Sequence, residues 1–545
     1  ERFLPNRDVW VEDGRIRALG RRLDLPDGLP RVDGTGRTVL PGLIDAHVHA
    51  FGSVREDAVR FGATTILDQF TAIEQFPGHR EERSTIGFSG AADLFSAGML
   101  ATAAGGHGTQ YGMPVDTLAE PAEAAGWTRD RKAAGSDWIK IVIEDGSAYN
   151  FTMPALDRDT VAAVVAAAHA EGLLAVAHVS RLSAALLALE LGIDGLVHVW
   201  GDQVIDPEDA ARFAEAGVFV VPTLAVIASV AGNDASAQLA ATLAEEQLSP
   251  MQRDTLAGSF GSARPEHLAV ALENVRALHE AGVSILAGTD APNPGTASGL
   301  SMHVELQLLA QAGFDADEVF RAATLGPAAA FGLEDRGRID RDRLADLVLV
   351  EGDLRADLTG SAAIAAVWKD GEPVPLELST REQGSLPVAP DVALIADFED
   401  GLTSSFGMGW FPSTDEVRGG GSIAELAVVD GALTISGEIR SGFPFPWAGA
   451  IWFPGDQPMA PVDFGERETL RFRVRGEPRS YTVMMFGETM SGIPPSQTFS
   501  VTDAWQEIEM PLEGFRVDGV ISGVSFVAQQ PHGAFAFEVD DVRID

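Results

Sequence analysis

The distribution of apolar and polar residues divides the chain into regions with different periodicities. Up to residue 40, short apolar stretches separated by Asp-Gly turns predict β-strands. From 41 to about 333, nearly continuous apolar runs alternate with Ala-rich helical segments, which is typical of strands covered by helices on both faces. Beyond 391, apolar and polar residues alternate one by one, as in 468–474, and predict antiparallel strands with one solvated face.

The middle region has the pattern of a barrel of parallel strands. Its strand candidates are 43–48, 62–68, 98–104, 138–143, 173–178, 195–199, 217–223 and 283–288. Helical segments lie between them, for example 157–171, 181–192, 206–216 and 264–281. Eight strands alternating with helices predict an α/β fold of the (β/α)8, TIM-like barrel type.

The flanking regions complete the predicted domain organisation. Strand patterns return after the barrel, and we expect residues 334–380 to form a small composite β-sheet domain with residues 1–40. The barrel would then occupy 41–333. A polar, proline-containing linker at 375–392 leads to a C-terminal β-sandwich at 391–545.

Composition narrows the classes of partner. The net charge is −41, with 80 acidic and 39 basic side chains, and such a field repels nucleic acid and anionic membranes. No apolar run approaches the length of about 18 residues that a membrane span needs. The chain starts at Glu1, and a strand hairpin at 7–16 lacks an earlier partner strand, so we expect a leader upstream. We therefore expect a soluble protein, with a secreted or periplasmic location favoured over a cytoplasmic one; a homo-oligomer stays open.

The first predicted strand ends in two histidines separated by one residue. His47 and His49 would lie on the same face of the strand, with Cα atoms about 6.5–7 Å apart. A Zn–N bond is only about 2.0–2.1 Å long, so both imidazoles can converge on one ion. Two hydrogen-bonded histidines at a strand end would give the same pattern, and the pair alone leaves both interpretations open.

Further residues with metal-site chemistry lie in or after other predicted strands. They are Lys140, His178, His198 and Asp290. The carboxyl ends of barrel strands share one rim, where barrel enzymes place their active sites. Cysteine is absent, which leaves metal sites to histidine, carboxylate and similar ligands, and a buried lysine without a counter-charge loses its proton readily. Together the six residues favour a functional site over satisfied core histidines.

The segments that carry these residues resemble the amidohydrolase superfamily over about residues 1–385. They are PGLIDAHVH, WIKI, AVAHVS, GLVHVW and AGTDAP, in the order of the family. The resemblance implies two divalent metal ions, commonly zinc, and such ligands would also accept manganese or cobalt. It assigns His47, His49 and Asp290 to the first ion, His178 and His198 to the second, and Lys140, carboxylated by carbon dioxide, as the bridge between them.

The resemblance also implies a reaction. Metal coordination lowers the pKa of water from 15.7 towards about 7 and so supplies a metal-activated hydroxide. Asp290 would act as general base and then as general acid, passing the proton to a leaving amine. The expected function is hydrolysis of an amide, peptide or ester bond in a small-molecule substrate, with dipeptides and N-acyl amino acids as candidates.

Two loops refine this expectation. Gly105-Gly106-His107-Gly108 resembles the metal-dependent prolidase and imidazolonepropionase-like branch, in which the corresponding histidine contacts the substrate carbonyl. A surface histidine in a glycine-rich turn is the alternative for His107. That branch tends towards Ser-Gly-Gly after the strand-4 lysine, whereas this chain has 144–149, EDGSAY, which departs from it. Tyr149 is either a substrate contact or a loop-packing residue.

Other functions stay in view. The superfamily includes cyclic-amide hydrolases and deaminases, although its mononuclear deaminases lack the strand-4 lysine. The C-terminal region resembles the complex I intermediate-associated family of galactose-binding-like jelly rolls, at 396–400 and 537–542. Trp410, Trp447 and Trp452 would form either a sugar-stacking platform or part of a core or interface. A non-catalytic protein that binds carbohydrate or protein is the third alternative.

Overall fold

The computed structural model divides the chain into two compact units. One comprises Glu1–Gly108 and Val115–Ser379, and the other Thr109–Pro114 and Thr380–Asp545. The structure describes residues 3–73, 78–109, 115–149, 152–243, 247–258, 260, 264–378, 386–415, 421–440, 446–455, 458–487, 494–515, 517 and 519–545. None of the described helices is both long and apolar enough to cross a membrane.

The first unit alternates strands and helices. Its strands are β1 (Asp8–Glu12), β2 (Arg15–Gly20), β3 (Arg37–Pro41), β4 (Leu43–Val48), β5 (Ala63–Asp68), β6 (Asp93–Ser96), β7 (Ile139–Val142), β8 (Ala175–His178), β9 (Gly195–Val197), β10 (Phe219–Val221), β11 (Ser284–Ile285), β12 (Leu347–Glu351), β13 (Ile364–Lys369) and β14 (Glu372–Pro373). Its helices are α1 (Val54–Arg60), α2 (His79–Glu82), α3 (Ala124–Ala134), α4 (Arg158–Ala170), α5 (Leu182–Glu190), α6 (Pro207–Ala216), α7 (Leu224–Val230), α8 (Ala235–Ala240), α9 (Pro250–Ala257), α10 (Pro265–Glu280), α11 (Leu300–Gln311), α12 (Ala316–Ala322) and α13 (Leu325–Ala330).

Two parallel sheets form the centre of this unit. One has the order β4-β5-β6 and the other β11-β10-β9-β8-β7. Every residue of β4, β5 and β7 is buried, as the continuous apolar runs predict. Backbone hydrogen bonds join the sheets at one edge, from Ala46 N to Ala287 O (2.9 Å), and at the other, from Ala101 N to Lys140 O (2.8 Å). The strand ladders themselves are not continuous across these two edges.

The third and eighth predicted strands differ from the structure. The third was expected at 98–104, but β6 ends at Ser96 because Gly98 adopts a left-handed backbone (φ 64°) that interrupts a strand. Ala101 keeps only an isolated bridge to Ile141. The eighth was expected at 283–288, and β11 is limited to Ser284–Ile285. The four predicted helices named above agree with α4, α5, α6 and α10 to within two residues at each end.

A small antiparallel sheet lies beside the parallel ones. Its order is β14-β13-β12-β3, so a strand from the start of the chain pairs with strands that follow α13. The hairpin β1-β2 packs on this sheet through a cluster that includes Ile16, Ala345 and Leu347. The boundaries 1–40 with 334–380 for a composite domain stay a prediction.

The second unit consists of antiparallel sheets around one core. Its strands are β15 (Leu394–Ala396), β16 (Trp410–Thr414), β17 (Ile423–Val429), β18 (Ala432–Ile439), β19 (Ala448–Trp452), β20 (Val462–Asp463), β21 (Thr469–Gly476), β22 (Ser480–Phe486), β23 (Ser496–Ser500), β24 (Gln506–Pro511), β25 (Val520–Ile521), β26 (Gly523–Ala528) and β27 (Gly533–Ile544). One sheet has the order β17-β18-β27-β21-β24, and the other β16-β19-β26-β22-β23. Side chains of both sheets share a single apolar cluster.

Two of the three tryptophans considered for a sugar platform are buried in the core of this unit. Trp410 and Trp452 are 3% and 0% exposed and belong to the shared core. β16 and β19 pair these two residues directly, so both lie on the same face of the sheet, the face that packs on the shared core. Trp447 is half-buried, and its Nε1 donates to Ser413 Oγ at 3.2 Å. The platform interpretation is therefore wrong for Trp410 and Trp452, and core packing explains both.

Candidate metal centre

The six residues expected in the site are all found at the carboxyl ends or within the strands of the two parallel sheets. The set consists of His47 in β4, His49 just after it, Lys140 in β7, His178 at the end of β8, His198 just after β9, and Asp290 beyond β11. Parallel strands point the same way, so their carboxyl ends lie on one side of the unit. All six side chains are buried or largely buried there.

Local backbone conformation aims two of these side chains. His198 (φ 66°), directly after β9, and Asp290 (φ 58°), in the segment after β11, are both in the left-handed region. Gly288 allows strand and site to approach closely, since a Cβ atom there would lie 2.8 Å from the amide nitrogen of His47. Asp290 N donates to His47 O at 2.7 Å, which fixes the two residues relative to one another.

Asp290 is the common contact of the two histidines on the first strand. Its Oδ1 lies 3.2 Å from Nε2 of His47 and 2.9 Å from Nε2 of His49. Nδ1 of His49 is 3.2 Å from the carbonyl oxygen of Phe70, so its other ring nitrogen faces Asp290. A carbonyl partner of this kind is what orients a metal-binding imidazole.

Three further imidazoles form a row of neighbouring rings that begins at His47. The ring of His198 lies 4.7 Å from that of His47 and 4.6 Å from that of His178, measured between centroids. His107 stacks on His178 at 4.5 Å. The structure thus brings His107 next to the predicted ligands. Tyr149 ends a short helical turn, and its side chain lies outside the described residues.

The tightest group of ligand atoms is His47, His198 and Asp290, whose atoms all lie within 4.8 Å of one another. Within the described part of the chain, neither ring nitrogen of His47 nor Oδ1 of Asp290 has a well-directed hydrogen bond, although these atoms are buried. Buried polar atoms without a partner are rare in folded proteins. Buried ligand atoms that lie this close together without a well-directed partner fit a divalent cation, and two imidazoles with a carboxylate suit zinc.

The electrostatics of the cluster keep its ligands in the form that binds metal. Burial and the charge of Lys140 lower the pKa of His107 to about 4, and burial with neighbouring charges lowers that of His198 to about 3. The pKa of His178 is also far below its ordinary value, first through burial. Burial lowers the pKa of Lys140 to about 7 against the pull of Asp290 and Asp68. Neutral imidazoles are the form that binds metal.

For Asp290 and His49, contacts with neighbouring groups have a larger effect on the pKa than burial has. Burial alone would raise the pKa of Asp290, but the adjacent imidazoles of His47 and His49 hold it well below its ordinary value. For His49, burial opposes protonation, while Asp290 and Asp68 raise the pKa overall. Asp290 is accordingly an ionised acceptor at neutral pH, as a metal ligand or proton acceptor must be.

Sequence reasoning missed several polar residues that support this cluster. Asp45 accepts from Thr289 Oγ1 (2.7 Å) and from the amide of His47 (3.2 Å), and Asp68 accepts from the amide of Ala50 (2.8 Å). Glu144, two residues after β7, accepts from Ser180 and lies 3.9 Å from Nε2 of His178. The sequence signal that could have found these residues is a carboxylate inside an apolar strand run or directly after one.

Histidines elsewhere in the unit have structural contacts. His303, on α11, places its ring nitrogens 3.0 Å from Phe61 O and 3.2 Å from Ser361 Oγ, and the same helix carries Glu305, which accepts from Ala225 N at 2.7 Å. His169 lies 2.9 Å from Asp194 at the surface. His303 thus packs between distant segments, and Glu305 caps the start of α7.

Comparison with known proteins identifies the family. The sequence matches the amidohydrolase family over residues 38–374, and the complex I intermediate-associated protein 30 family over residues 399–528. Because the first match covers more than half of the chain, the chain belongs to the amidohydrolase family. Imidazolonepropionase of Streptomyces avermitilis is 25% identical over 416 residues, 68% of this chain and 88% of that protein.

Solved structures show the same fold. A molinate hydrolase has a TM-score of 0.55 and 21% identity, with 68% of this chain and 91% of that chain covered. A Xaa-Pro dipeptidase with methionine bound in its active site has a TM-score of 0.53 and 23% identity, with 67% and 94% covered. At such identities the likeness establishes the fold alone, a TIM-barrel-like domain to which this chain adds a β-rich C-terminal region.

Proposed function

We propose that the chain is a metal-dependent hydrolase of C–N bonds in small-molecule amides or peptides. The observation that carries this proposal is the buried group of His47, His198 and Asp290, whose ligand atoms lie within 4.8 Å of one another, those of His47 and Asp290 without a well-directed hydrogen bond among the described residues. Its place at the carboxyl ends of the strands supports a closed (β/α)8 barrel with the site on its rim. Similarity to imidazolonepropionase supports the choice of a C–N bond.

The proposed ligand set follows the motifs of the family. His47, His49 and Asp290 would hold one divalent ion and His178 and His198 a second, with zinc favoured and manganese or cobalt as alternatives. Lys140, carboxylated by carbon dioxide, would bridge the two ions. Burial supports this role, since a lysine whose pKa lies at about 7 is partly neutral at physiological pH, and a neutral amine can capture carbon dioxide.

Bound ions would supply Lewis acidity and a water molecule of lowered pKa. The remaining steps belong to the chain itself. Asp290 Oδ1 is an ionised acceptor that can take a proton from the attacking water and return it to the leaving nitrogen. His107, which stacks on His178, would contact the substrate carbonyl oxygen. The backbone bond from Asp290 N to His47 O keeps the proton acceptor at a fixed distance from the first ligand.

A second candidate is hydrolysis of a cyclic amide. It is supported by the match to imidazolonepropionase, which extends over 88% of that protein. Esters, and deamination, are further alternatives within the same chemistry. A panel of dipeptides, N-acyl amino acids, lactones and five-membered cyclic amides would separate these substrates by kcat/KM.

The proposal is tested by removing ligands and measuring both metal content and turnover. We expect His47→Ala and His178→Ala each to lose bound metal and to abolish turnover while the circular dichroism spectrum stays unchanged. His169→Ala is the matched control, because that histidine contacts only Asp194 at the surface in the described structure. Near-normal turnover in either ligand variant, or a purified protein with no metal and no activity on any substrate of the panel, would refute a metal-dependent hydrolase.

A further inference from the structure

Thr223 has a backbone conformation that β-branched residues seldom adopt. It stands between β10 and α7 with φ 53° and ψ 46°, in the left-handed region. In this region the Cβ of a non-glycine residue crowds the backbone, and a branched side chain is especially disfavoured. Glycine or asparagine would relieve the strain. An outlier of this kind suggests that the side chain has a function of its own.

The hydroxyl of Thr223 contacts a proposed metal ligand. Its Oγ1 lies 2.7 Å from Nδ1 of His198, and Thr223 is completely buried. The backbone on either side fixes this pair, since His198 N donates to Val221 O at 2.9 Å and Val199 N to Pro222 O at 3.2 Å. With Nδ1 engaged, Nε2 is the nitrogen left for the group that contains His47 and Asp290.

The side chain of Thr223 does not cap α7, although Thr223 stands at the N-cap position of that helix. Threonine at the start of a helix usually accepts a hydrogen bond from an amide of the first turn. Thr223 is the N-cap residue of α7, but its side chain makes no such bond. Instead, Oε2 of Glu305, from α11, accepts from Ala225 N in that turn at 2.7 Å, and Glu305 is fully buried. Glu305 thus caps α7 and leaves the hydroxyl of Thr223 to His198.

We propose that Thr223 is a positioning residue for His198. Its hydroxyl oxygen accepts a hydrogen bond from Nδ1–H of His198. This bond selects one tautomer of the imidazole and directs the lone pair of Nε2 into the metal centre. Glu305 makes this possible by taking over the cap. The inference rests on the proposed metal function of His198. His49 has the equivalent contact to a backbone carbonyl, of Phe70, which no substitution can remove, whereas Thr223 can be changed directly.

Three substitutions in the full-length chain separate the hydroxyl from the shape of the side chain. Thr223→Val keeps the branched shape without an acceptor, Thr223→Ser keeps the acceptor, and Thr223→Gly removes the side chain while accepting the left-handed backbone. Zinc is titrated into metal-stripped protein against a chelating indicator. We expect Thr223→Val and Thr223→Gly to weaken one of the zinc sites by about 10- to 100-fold, the usual effect of losing an outer partner of a ligand. Thr223→Ser should bind as the unchanged chain does.

A spectroscopic readout reports the tautomer without activity. Nitrogen-15 chemical shifts of His198 in the metal-free protein should show a single Nδ1–H tautomer in the unchanged chain and in Thr223→Ser. A mixture of tautomers is expected in the other two variants. Thr128→Val is the matched control, because Thr128 is a buried threonine of α3 whose hydroxyl has no partner among the described residues. It should change neither the shifts nor zinc affinity.

A further variant distinguishes failure of the inference from failure of the proposed function. If His198→Ala leaves both zinc sites intact, His198 is not a ligand and the metal assignment itself is wrong. If His198→Ala loses an ion while Thr223→Val and Thr223→Gly bind zinc normally with an unchanged tautomer, the positioning role is overturned. Should Thr223→Val fail to fold, Thr223→Gly alone decides, since its backbone conformation is unstrained.

Discussion

Two of the chain's three lysines, Lys140 and Lys369, are buried in the same unit, and their surroundings shift their pKa values in opposite directions. Both are 2% exposed. Nζ of Lys369 lies 3.1 Å from Asp93 and from Asp370, and 3.5 Å from Asp346. Lys140 lies near imidazoles as well as near Asp290 and Asp68, and burial lowers its pKa to about 7 against these two carboxylates. Burial also opposes the charge of Lys369, but the three carboxylates outweigh it and raise the pKa above its ordinary value.

The two lysines differ in whether the chain itself supplies enough counter-charge to keep the buried amine protonated. Around Lys369 the chain supplies its own counter-charges, and Arg336 adds a second cation at 2.5 Å from Asp93. Around Lys140 burial outweighs the charges of Asp290 and Asp68, and buried atoms of His47 and Asp290 lack a well-directed partner among the described residues. Oδ2 of Asp346 and Oδ1 of Asp370 also lack a hydrogen bond there, but both carboxylates have the charge of Lys369 beside them. A buried polar group without compensation is costly, so the second arrangement fits a site completed by cations from outside the chain.

Removal of the lysine side chain should have its largest effect at Lys140. We expect Lys140→Ala to lose one of two bound ions and to lower turnover by about a thousandfold, since metal catalysis contributes several kcal/mol. Short carboxylic acids, which can replace a carbamate, should restore part of both. Metal analysis and turnover are measured together. Lys132→Ala is the control, because Lys132 pairs with Glu171 at the surface. An active Lys140→Ala protein with its full metal content would remove the bridge.

Lys369→Met tests the compensated cluster. The variant leaves Asp93, Asp346 and Asp370 without one of their cations, and we expect the free energy of unfolding to fall by about 3–5 kcal/mol, as when one partner of a buried ion pair is removed. The metal content of the folded protein should not change. Because the folded pKa of Lys369 is raised, its stabilisation is complete below the ordinary lysine pKa and is lost as the pH rises through the raised value. Urea unfolding at neutral and strongly alkaline pH measures both effects; loss of metal from a folded Lys369→Met protein would contradict the comparison.

The sequence predicts the position of such residues better than their partners. Continuous apolar runs indicate buried strands, and the end of each run locates His178, His198 and Asp290 at one side of the unit. Local signals also limit this prediction. The third strand was predicted too late in the chain because the apolar run that begins near Gly98 has a strand pattern. The left-handed backbone of Gly98, which interrupts the strand, is seen only in the structure.

Contacts between distant segments could not be predicted in this way. Thr223 reaches His198 across 25 positions in the sequence, and Glu305 reaches Ala225 across 80. Nothing in the local pattern of either segment indicates its partner, because both contacts depend on how the parallel strands and α11 pack. The ion assignments of His47, His49 and Lys140 likewise stay predictions, since they depend on atoms that converge only in the folded chain.

Glu305 shows a third way of burying an ionisable group, which is to keep it neutral. Burial raises its pKa to about 8, against the hydrogen bonds from Ala225 and Leu224 and with the charge of Asp45. Because the folded pKa is raised, the proton stabilises the fold fully below the ordinary pKa of a glutamate, and this stabilisation is lost as the pH rises through about 8. Glu305→Gln keeps an acceptor for Ala225 and cannot ionise. We expect it to equal the unchanged chain near pH 5 and to exceed its free energy of unfolding by about 1–3 kcal/mol near pH 9.

Urea unfolding at three pH values measures this difference. Glu273→Gln, at an exposed position of α10, is the control and should show no such trend. If the difference between Glu305→Gln and the unchanged chain is the same at every pH, Glu305 is ionised throughout and has a cation near it. Glu305 would then be a compensated buried charge, as Lys369 is. A gain confined to alkaline pH would place it apart from both lysines, as a buried acid that the fold holds protonated so that α7 is capped without a counter-charge.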